Sequence, residues 1–195
     1  LAIEGKPAAV ICVEDPLREE AADAIRELKE AGITKVVMMT GDSERTAAAI
    51  AKRVGVDEYY SEVLPEDKAS FVEKEKELGH KVIMIGDGIN DSLALSSANV
   101  GIAISDGAAI AREIADVTIS ADNLHEIVTL KRLSTALMKR IHNNYRTIIG
   151  INGGLIALGV TGIIMPTTSA LLHNMSTLTI SLRSMRNLLP KEEEA

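Results

Sequence analysis

The sequence predicts an α/β fold, a parallel Rossmann-like sheet covered by helices, followed by a long helix and a two-helix transmembrane hairpin. Three observations predict it. Short apolar runs alternate with segments of helical spacing from residue 8 to residue 119. Charged residues crowd residues 1–146, whereas residues 147–182 carry almost none. The charges that flank this uncharged stretch are basic.

The elements follow in order. Residues 8–13 form an apolar run typical of a buried strand, broken by Asp15-Pro16. Residues 17–31 have helical spacing, with Leu17, Ala21, Ala24, Ile25 and Leu28 on one face and Gly32 at the C-cap position. Val36 to Met39 read as a second strand and residues 43–54 as a second helix, ending before Gly55. A third helix over 66–78 lies between Pro65 and Gly79, and Val82 to Ile85 form a third strand. Helix 91–97, strand 99–104, helix 108–114 and strand 116–119 complete the series. Ligands of such sheets bind at the carboxyl ends of the strands.

After Asp122 the pattern changes. Residues 123–146 read as one amphipathic linking helix carrying Lys131, Arg132, Lys139, Arg140 and Arg146. Residues 147–165 are apolar apart from Asn152 and two Thr, and about twenty such residues span a bilayer. Pro166-Thr167-Thr168 is an uncharged turn, and residues 169–189 form a second span interrupted by His173, Asn174, Arg183 and Arg186. Basic residues before the first span and at the end of the second put both ends in the cytoplasm. A soluble helical hairpin is the alternative, and it leaves that charge asymmetry unexplained. The expected domains are thus 1–122, the linking helix 123–146, the hairpin 147–189 and a cytoplasmic tail, 190–195.

Composition narrows the partners. The 195 residues carry a formal charge of -7, which argues against nucleic acid. With no Trp, one Phe and three Tyr, the core must be aliphatic. The single cysteine, Cys12, excludes an internal disulfide, fits a reducing compartment, and reads as a small core hydrophobe. The sequence opens in mid-pattern at Leu1, as expected of a fragment whose N-terminus lies upstream.

Three polar clusters stand at predicted strand–helix junctions. Thr40-Gly41-Asp42 could hold phosphate oxygens at a helix N-terminus, or serve as a plain turn and N-cap. Pro65-Glu66-Asp67-Lys68 opens a helix, where Lys68 could neutralise a phosphoryl group or simply be solvated. In Gly86-Asp87-Gly88-Ile89-Asn90-Asp91 two carboxylates converge after a buried strand. Such a pair suits a hard cation with oxygen ligands, Mg²⁺ above all. A Gly-rich turn with an Asp N-cap is the alternative there.

Taken together, Thr-Gly-Asp, Pro-x-x-Lys and Gly-Asp-Gly-x-Asn-Asp in this order resemble the haloacid-dehalogenase type of phosphoryl-transfer domain. The six-residue loop followed by Leu93-Ala94-Leu95-Ser96-Ser97-Ala98-Asn99-Val100-Gly101-Ile102-Ala103 is similar to P-type ATPases in particular. Asp15-Pro16-Leu17-Arg18 also matches their phosphorylation domain. The soluble resemblance covers residues 1–122, and the two-helix tail with His173-Asn174-Met175-Ser176-Thr177 resembles the heavy-metal branch. The resemblance implies that Thr40 and Gly41 contact phosphoryl oxygens within the Thr40–Asp42 motif. It implies that Lys68 offsets their charge, that Asp87 coordinates Mg²⁺, and that Asn90 contacts the phosphoryl group. Asp91 would orient Lys68 or a metal-bound water, beside the Mg²⁺. Asp15 and Arg18 would sit near the hinge to the ATP-binding domain.

Within the membrane His173, Asn174, Ser176 and Thr177 are expected to line the ion pathway, with Asn143, Asn144, Tyr145 and Asn152 as possible companions. Helix–helix hydrogen bonding is the alternative use for such groups, and Gly150-x-x-x-Gly154 suits close helix packing.

The DKTGT motif of the family's nucleophile does not occur in the sequence. The implied function is therefore part of an ATP-driven transition-metal exporter, a multi-pass protein of the cell membrane. Residues 1–146 and the tail would be cytoplasmic, and the fragment alone inactive. Its partners would be the nucleotide-binding and actuator domains and the other membrane helices of the same pump, the transition-metal ion, and the bilayer. A His with Asn, Ser and Thr favours Zn²⁺ or Cd²⁺ over copper. The competing functions are a haloacid-dehalogenase-type phosphatase and a truncated, non-catalytic membrane-tethered module.

Overall fold

The computed structural model describes residues 2–3, 6–7, 17–86, 90–104, 113–119 and 123–189. The predicted strand 8–13 with Cys12, the residues Asp15 and Asp87, most of the predicted helix 108–114 and the tail 190–195 lie outside the described residues. The chain divides into two compact units, Leu1–His125 and Glu126–Ala195.

The first unit contains α1 (Ala21–Glu30), α2 (Glu44–Val54), α3 (Pro65–Glu77) and α4 (Ser92–Ser97). Its strands are β1 (Ala2–Ile3), β2 (Lys6–Pro7), β3 (Val37–Met39), β4 (Glu58–Tyr60), β5 (Ile83–Gly86), β6 (Val100–Ile104) and β7 (Val117–Ile119). β1 and β2 form a short antiparallel pair that the sequence reading did not include. The remaining strands pair in parallel, β3 with β4 and β5–β6–β7 in that order. The expected parallel sheet is thus present as two parallel pieces.

β4 is a strand that the sequence reading missed. It aligns Val37 with Glu58, Met38 with Tyr59 and Met39 with Tyr60. All three of its residues are exposed, so no apolar run announced it. Tyr60 packs against Phe71 of α3 with ring centroids 5.2 Å apart, which places two of the few aromatic side chains in one contact.

Helix ends follow local chemistry. α1 starts at Ala21 rather than at residue 17, because Arg18–Ala21 form a turn closed by the Ala21 N–H donating to the Arg18 carbonyl. α2 ends at Gly55, whose φ of 77° is the left-handed C-cap conformation. α3 takes Pro65 in its first turn, and the Asp67 carboxylate accepts from the Leu64 N–H at 3.2 Å.

The core is built from small aliphatic groups. Ala21 and Ala24 of α1, Ala47 and Ala51 of α2, and Ala94 of α4 are buried together with Val72, Leu95, Ile102 and Ala103. Small faces let helices lie close on the sheet. Gly101 shows how close: a Cβ there would meet the Leu95 carbonyl oxygen at 2.7 Å. Asp57 ties the edge together. It accepts from Lys29 of α1 at 2.7 Å and from the Val36 N–H at 2.7 Å, while Lys29 also donates to the Gly55 carbonyl.

The second unit contains α5 (His125–Val160) and α6 (Pro166–Ser184). α5 is one continuous helix of 36 residues, with no break between the predicted linking helix and the first span. It stops at Val160, short of the predicted residue 165, because Gly162 turns the chain with a φ of 73°. Pro166, expected in the turn, instead begins α6, where its fixed φ suits the first helical position. α6 ends at Ser184 rather than residue 189.

Among the described residues no helix is long and apolar enough to cross a membrane. The apolar part of α5, Thr147–Val160, reaches about 21 Å against a hydrocarbon core of about 30 Å. α6 is longer, but His173, Asn174 and its Ser and Thr residues lower its hydropathy. Large apolar side chains nevertheless stand exposed along both helices, including Ile148, Ile156, Leu171, Leu178 and Leu182.

Two predictions follow from the packing. Gly101→Ala should destabilise the chain by about 1–3 kcal/mol, because the Leu95 backbone cannot swing aside; a denaturant midpoint equal to wild type would refute the close contact. The Lys29 ammonium, and next the Val36 N–H, hold the Asp57 carboxyl below the usual carboxylate range. A depressed carboxyl contributes stability that is full above its unfolded pKa and is lost as pH falls through the folded value. Asp57→Asn should therefore lower the melting temperature at pH 7 and leave it unchanged near pH 2, which paired thermal melts will show.

Candidate active site

β5 ends in Gly86 and α4 begins with Asp91 as its N-cap residue. The strand is the element Ile83-Met84-Ile85-Gly86, aligned in parallel with Val100–Ala103 of β6. Asp91 is thereby carried to the carboxyl end of a parallel strand. It is the buried charged residue among the described residues, at 9% exposure. Its backbone position makes it an N-cap, yet its side chain makes no cap hydrogen bond.

That carboxylate instead meets Lys68. The Lys68 Nζ donates to Asp91 Oδ1 at 2.7 Å, with the two side chains 15% and 12% exposed. Lys68 is therefore not the solvated first-turn lysine of the alternative reading. Pro65 starts α3 so that its first turn points Lys68 inward, and Val72, one turn further on, is buried on the same helix. A buried pair of this kind must offset the desolvation of both charges by close geometry.

Gly86 makes the geometry possible. A Cβ at Gly86 would overlap Asp91 Oδ2 and stand 2.7 Å from the Asp91 Cβ. Only glycine leaves room for the carboxylate against the strand end. The sequence reading noted the loop glycines for backbone freedom, whereas at Gly86 the requirement is space.

Thr40, Gly41 and Asp42 follow β3 and form a closed local turn. The Thr40 hydroxyl donates to Asp42 Oδ2 at 2.9 Å and accepts from the Asp42 N–H at 3.1 Å. The Thr40 N–H donates to the Tyr60 carbonyl, and the Glu62 N–H donates to the Asp42 carbonyl. The turn is thus braced on β4 and the segment after it. Ser43, not Asp42, is the N-cap residue of α2. Asn90 is exposed beside Asp91, and Arg18 is exposed with a guanidinium nitrogen 3.8 Å from Glu20.

Two functional-looking contacts were not visible in the sequence. Glu44, in the first turn of α2, accepts from the Ser61 hydroxyl at 2.6 Å and the Tyr59 hydroxyl at 2.8 Å. Ser61, and then Tyr59, hold its carboxyl below the usual range. Acidic residues in a first helical turn are common, so only the missed strand β4 could have signalled this contact. In the second unit, His173 Nδ1 lies 2.9 Å from Asn152 Oδ1, joining α6 to α5. Among the four residues expected in the ion pathway, Ser176 and Thr177 turn their hydroxyls back to the His173 carbonyl at 2.8 and 3.1 Å.

Among the described residues no cluster of three or more His, Cys, Asp or Glu is placed to hold a metal ion, and Asp87 is outside them. The donors that are described at this strand end, Asp91 and Asn90, offer oxygen, which fits Mg²⁺ better than a softer ion. An ammonium fixed at the carboxyl end of a parallel strand can offset the charge of an anionic group bound there.

The haloacid dehalogenase-like hydrolase profile matches residues 1–99, half of the chain. The chain belongs to the haloacid dehalogenase-like hydrolase family. Within that family its relatives are P-type ATPases. It is 36% identical over 95% of its length to a zinc-exporting P-type ATPase of Mycobacterium marinum, covering 26% of that protein. It is 37% identical, with the same coverage of both chains, to a manganese-exporting P-type ATPase of Mycobacterium bovis. It is 44% identical over 88% of its length to a copper-transporting ATPase of Rhizobium meliloti, covering 20% of that protein. The chain thus spans about a quarter or less of these relatives. A solved zinc-transporting PIB-type ATPase in its E2.Pi state superimposes on 91% of the chain and 29% of its own, with a TM-score of 0.82 at 34% identity.

A double-mutant cycle tests the central pair. Lys68→Met and Asp91→Ser should each destabilise the chain, and the double variant should recover a coupling energy of about 1–3 kcal/mol. Additive losses would mean that the two charges do not sense each other.

Proposed function

We propose that this chain is the C-terminal quarter of an ATP-driven transition-metal exporter, contributing half of its phosphoryl-transfer site and its last two membrane helices. The observation that carries this reading is the Lys68–Asp91 pair seated on Gly86 at the carboxyl end of β5. The match of the chain to a zinc-transporting pump over both units supports it further.

In this reading Thr40 and Gly41 contact the phosphoryl oxygens, the Thr40 hydroxyl exchanging its Asp42 partner for the ligand. Lys68 offsets the charge that develops on those oxygens, and Asp91 holds the ammonium in place. Asn90 adds a side-chain donor at the same strand end. Asp87 and Asp91 would hold Mg²⁺, which would supply positive charge to offset that of the phosphoryl group. The residues present supply positioning and electrostatic stabilisation, the main needs of phosphoryl transfer. The phosphate-accepting Asp belongs to the part of the pump that this chain does not span. By family resemblance Asp15 and Arg18 would serve the hinge to the ATP-binding domain.

α5 and α6 would form a transmembrane hairpin in the cell membrane, with residues 1–146 and the tail cytoplasmic. Their low hydropathy is expected where polar side chains face other helices of the pump rather than lipid. His173, Asn174, Ser176 and Thr177 then belong to the ion pathway. With Nδ1–H donating to the Asn152 carbonyl oxygen, His173 would present an unprotonated Nε2, a ligand suited to Zn²⁺ or Cd²⁺ over Cu⁺.

A chimera tests the proposal. The chain replaces the matching C-terminal quarter of the zinc-exporting relative, and ATP hydrolysis is followed with Mg²⁺ and a panel of metal ions. Lys68→Ala in that chimera should lower turnover about 100- to 1,000-fold. Turnover at the parent rate in the variant would end the assignment. Stimulation by Cu⁺ alone would overturn the metal preference and leave the rest standing.

A further inference from the structure

Between Glu126 and Glu192 the sequence contains no carboxylate, yet it contains eight lysines and arginines. Their counter-charge must come from elsewhere. One of them is already committed within the fold. The Arg140 guanidinium donates to the carbonyl oxygens of Ser184 at 3.0 Å, of Arg186, and of Asn187 at 2.8 Å. It caps the end of α6, where the last carbonyls and the helix dipole favour a cation. Asn144 fixes the same end by donating to the Ser184 hydroxyl at 2.7 Å.

With Arg140 so engaged, Lys139, Arg183 and Arg186 are left around an open cavity of about 430 Å³, lined also by Asn143 and Thr147. Among the described residues none of these three cations makes an ion pair. Like charges gathered on one cavity repel unless an anion lies between them. We propose that this cavity binds the phosphodiester headgroup of an anionic phospholipid. Arginine and lysine suit phosphate oxygens, and Asn143 adds a neutral donor. The exposed apolar side chains Ile148 of α5, Leu182 of α6 and Met185 just after it offer a surface for acyl chains that a free phosphate would not use. The proposal rests on the membrane reading of the hairpin, which places these helix ends at the cytoplasmic interface.

The whole chain in detergent, studied by native mass spectrometry with phosphatidylglycerol and phosphatidylcholine added together, provides the test. Wild type should retain phosphatidylglycerol selectively. Lys139→Gln/Arg183→Gln should weaken that retention about 25-fold, at about five-fold per charge near an anionic surface. Lys131→Gln/Arg146→Gln removes the same charge outside the cavity and should change retention little. Equal losses in the two double variants would reveal diffuse attraction and overturn the site. Inorganic phosphate competing as well as the lipid at equal concentration would assign the cavity to a free anion. Retention only after removal of residues 191–195 would assign it to the acidic run Glu192–Glu194. Flotation with phosphatidylcholine vesicles tests the membrane reading separately. A chain that fails to float there sinks that reading and this proposal with it, whereas one that floats without phosphatidylglycerol selectivity sinks the proposal alone.

Discussion

The contact between Lys68 and Asp91 is the constraint around which the first unit is arranged. Two opposite charges, each little exposed, sit 2.7 Å apart. Breaking such a pair leaves one charge buried and unpaired, at a cost of about 3–5 kcal/mol when burial is complete. The pair therefore pins the first turn of α3 to the start of α4. Everything near it must then accept that spacing. Gly86 must lack a side chain, and Pro65 must start α3 at the right residue, while Val72 of α3 and Leu95 of α4 are buried on the same two helices. A charge pair of this kind is a weak source of stability and a strong source of position.

The core supports that position by closeness rather than bulk. Alanines dominate the buried positions of α1 and α2, and Gly101 lets the Leu95 backbone approach β6 within the space of a methyl group. With little side-chain freedom to lose, these contacts carry a small entropic cost on folding. The same closeness leaves no slack, so added volume at Gly86 or Gly101 is felt directly by the backbone or by Asp91.

Much of this was legible in the sequence, for identifiable reasons. β3, β5, β6 and β7 were read because apolar runs announce buried strands, and helix ends at Gly55 and Pro65 because those residues have few other uses. Lys68 and Asp91 were both singled out, and the loop's family resemblance linked them. β4 was not read, since Glu58, Tyr59 and Tyr60 are all exposed and pairing with β3 is a tertiary fact. Without β4 the braces on Thr40 and Glu44 were invisible too. The hairpin boundaries failed for a different reason. Hydropathy marks where charge is absent, whereas the helix ends are set by Gly162 turning left-handed and by Pro166 starting a new helix.

The second unit shows why mean hydropathy understates what two such helices can do. Several of its uncharged polar groups have partners: His173 with Asn152, Asn144 with the Ser184 hydroxyl, and Ser176 and Thr177 with a main-chain carbonyl of their own helix. A paired polar group has already met most of the desolvation cost that an averaged scale charges to it. Its large aliphatic side chains are meanwhile exposed along both helices. Water is a poor neighbour for so much apolar surface, and lipid or further helices are good ones. Polar groups that satisfy one another and aliphatic groups left uncovered thus occur side by side on these two helices, a combination that a single averaged hydropathy value cannot express.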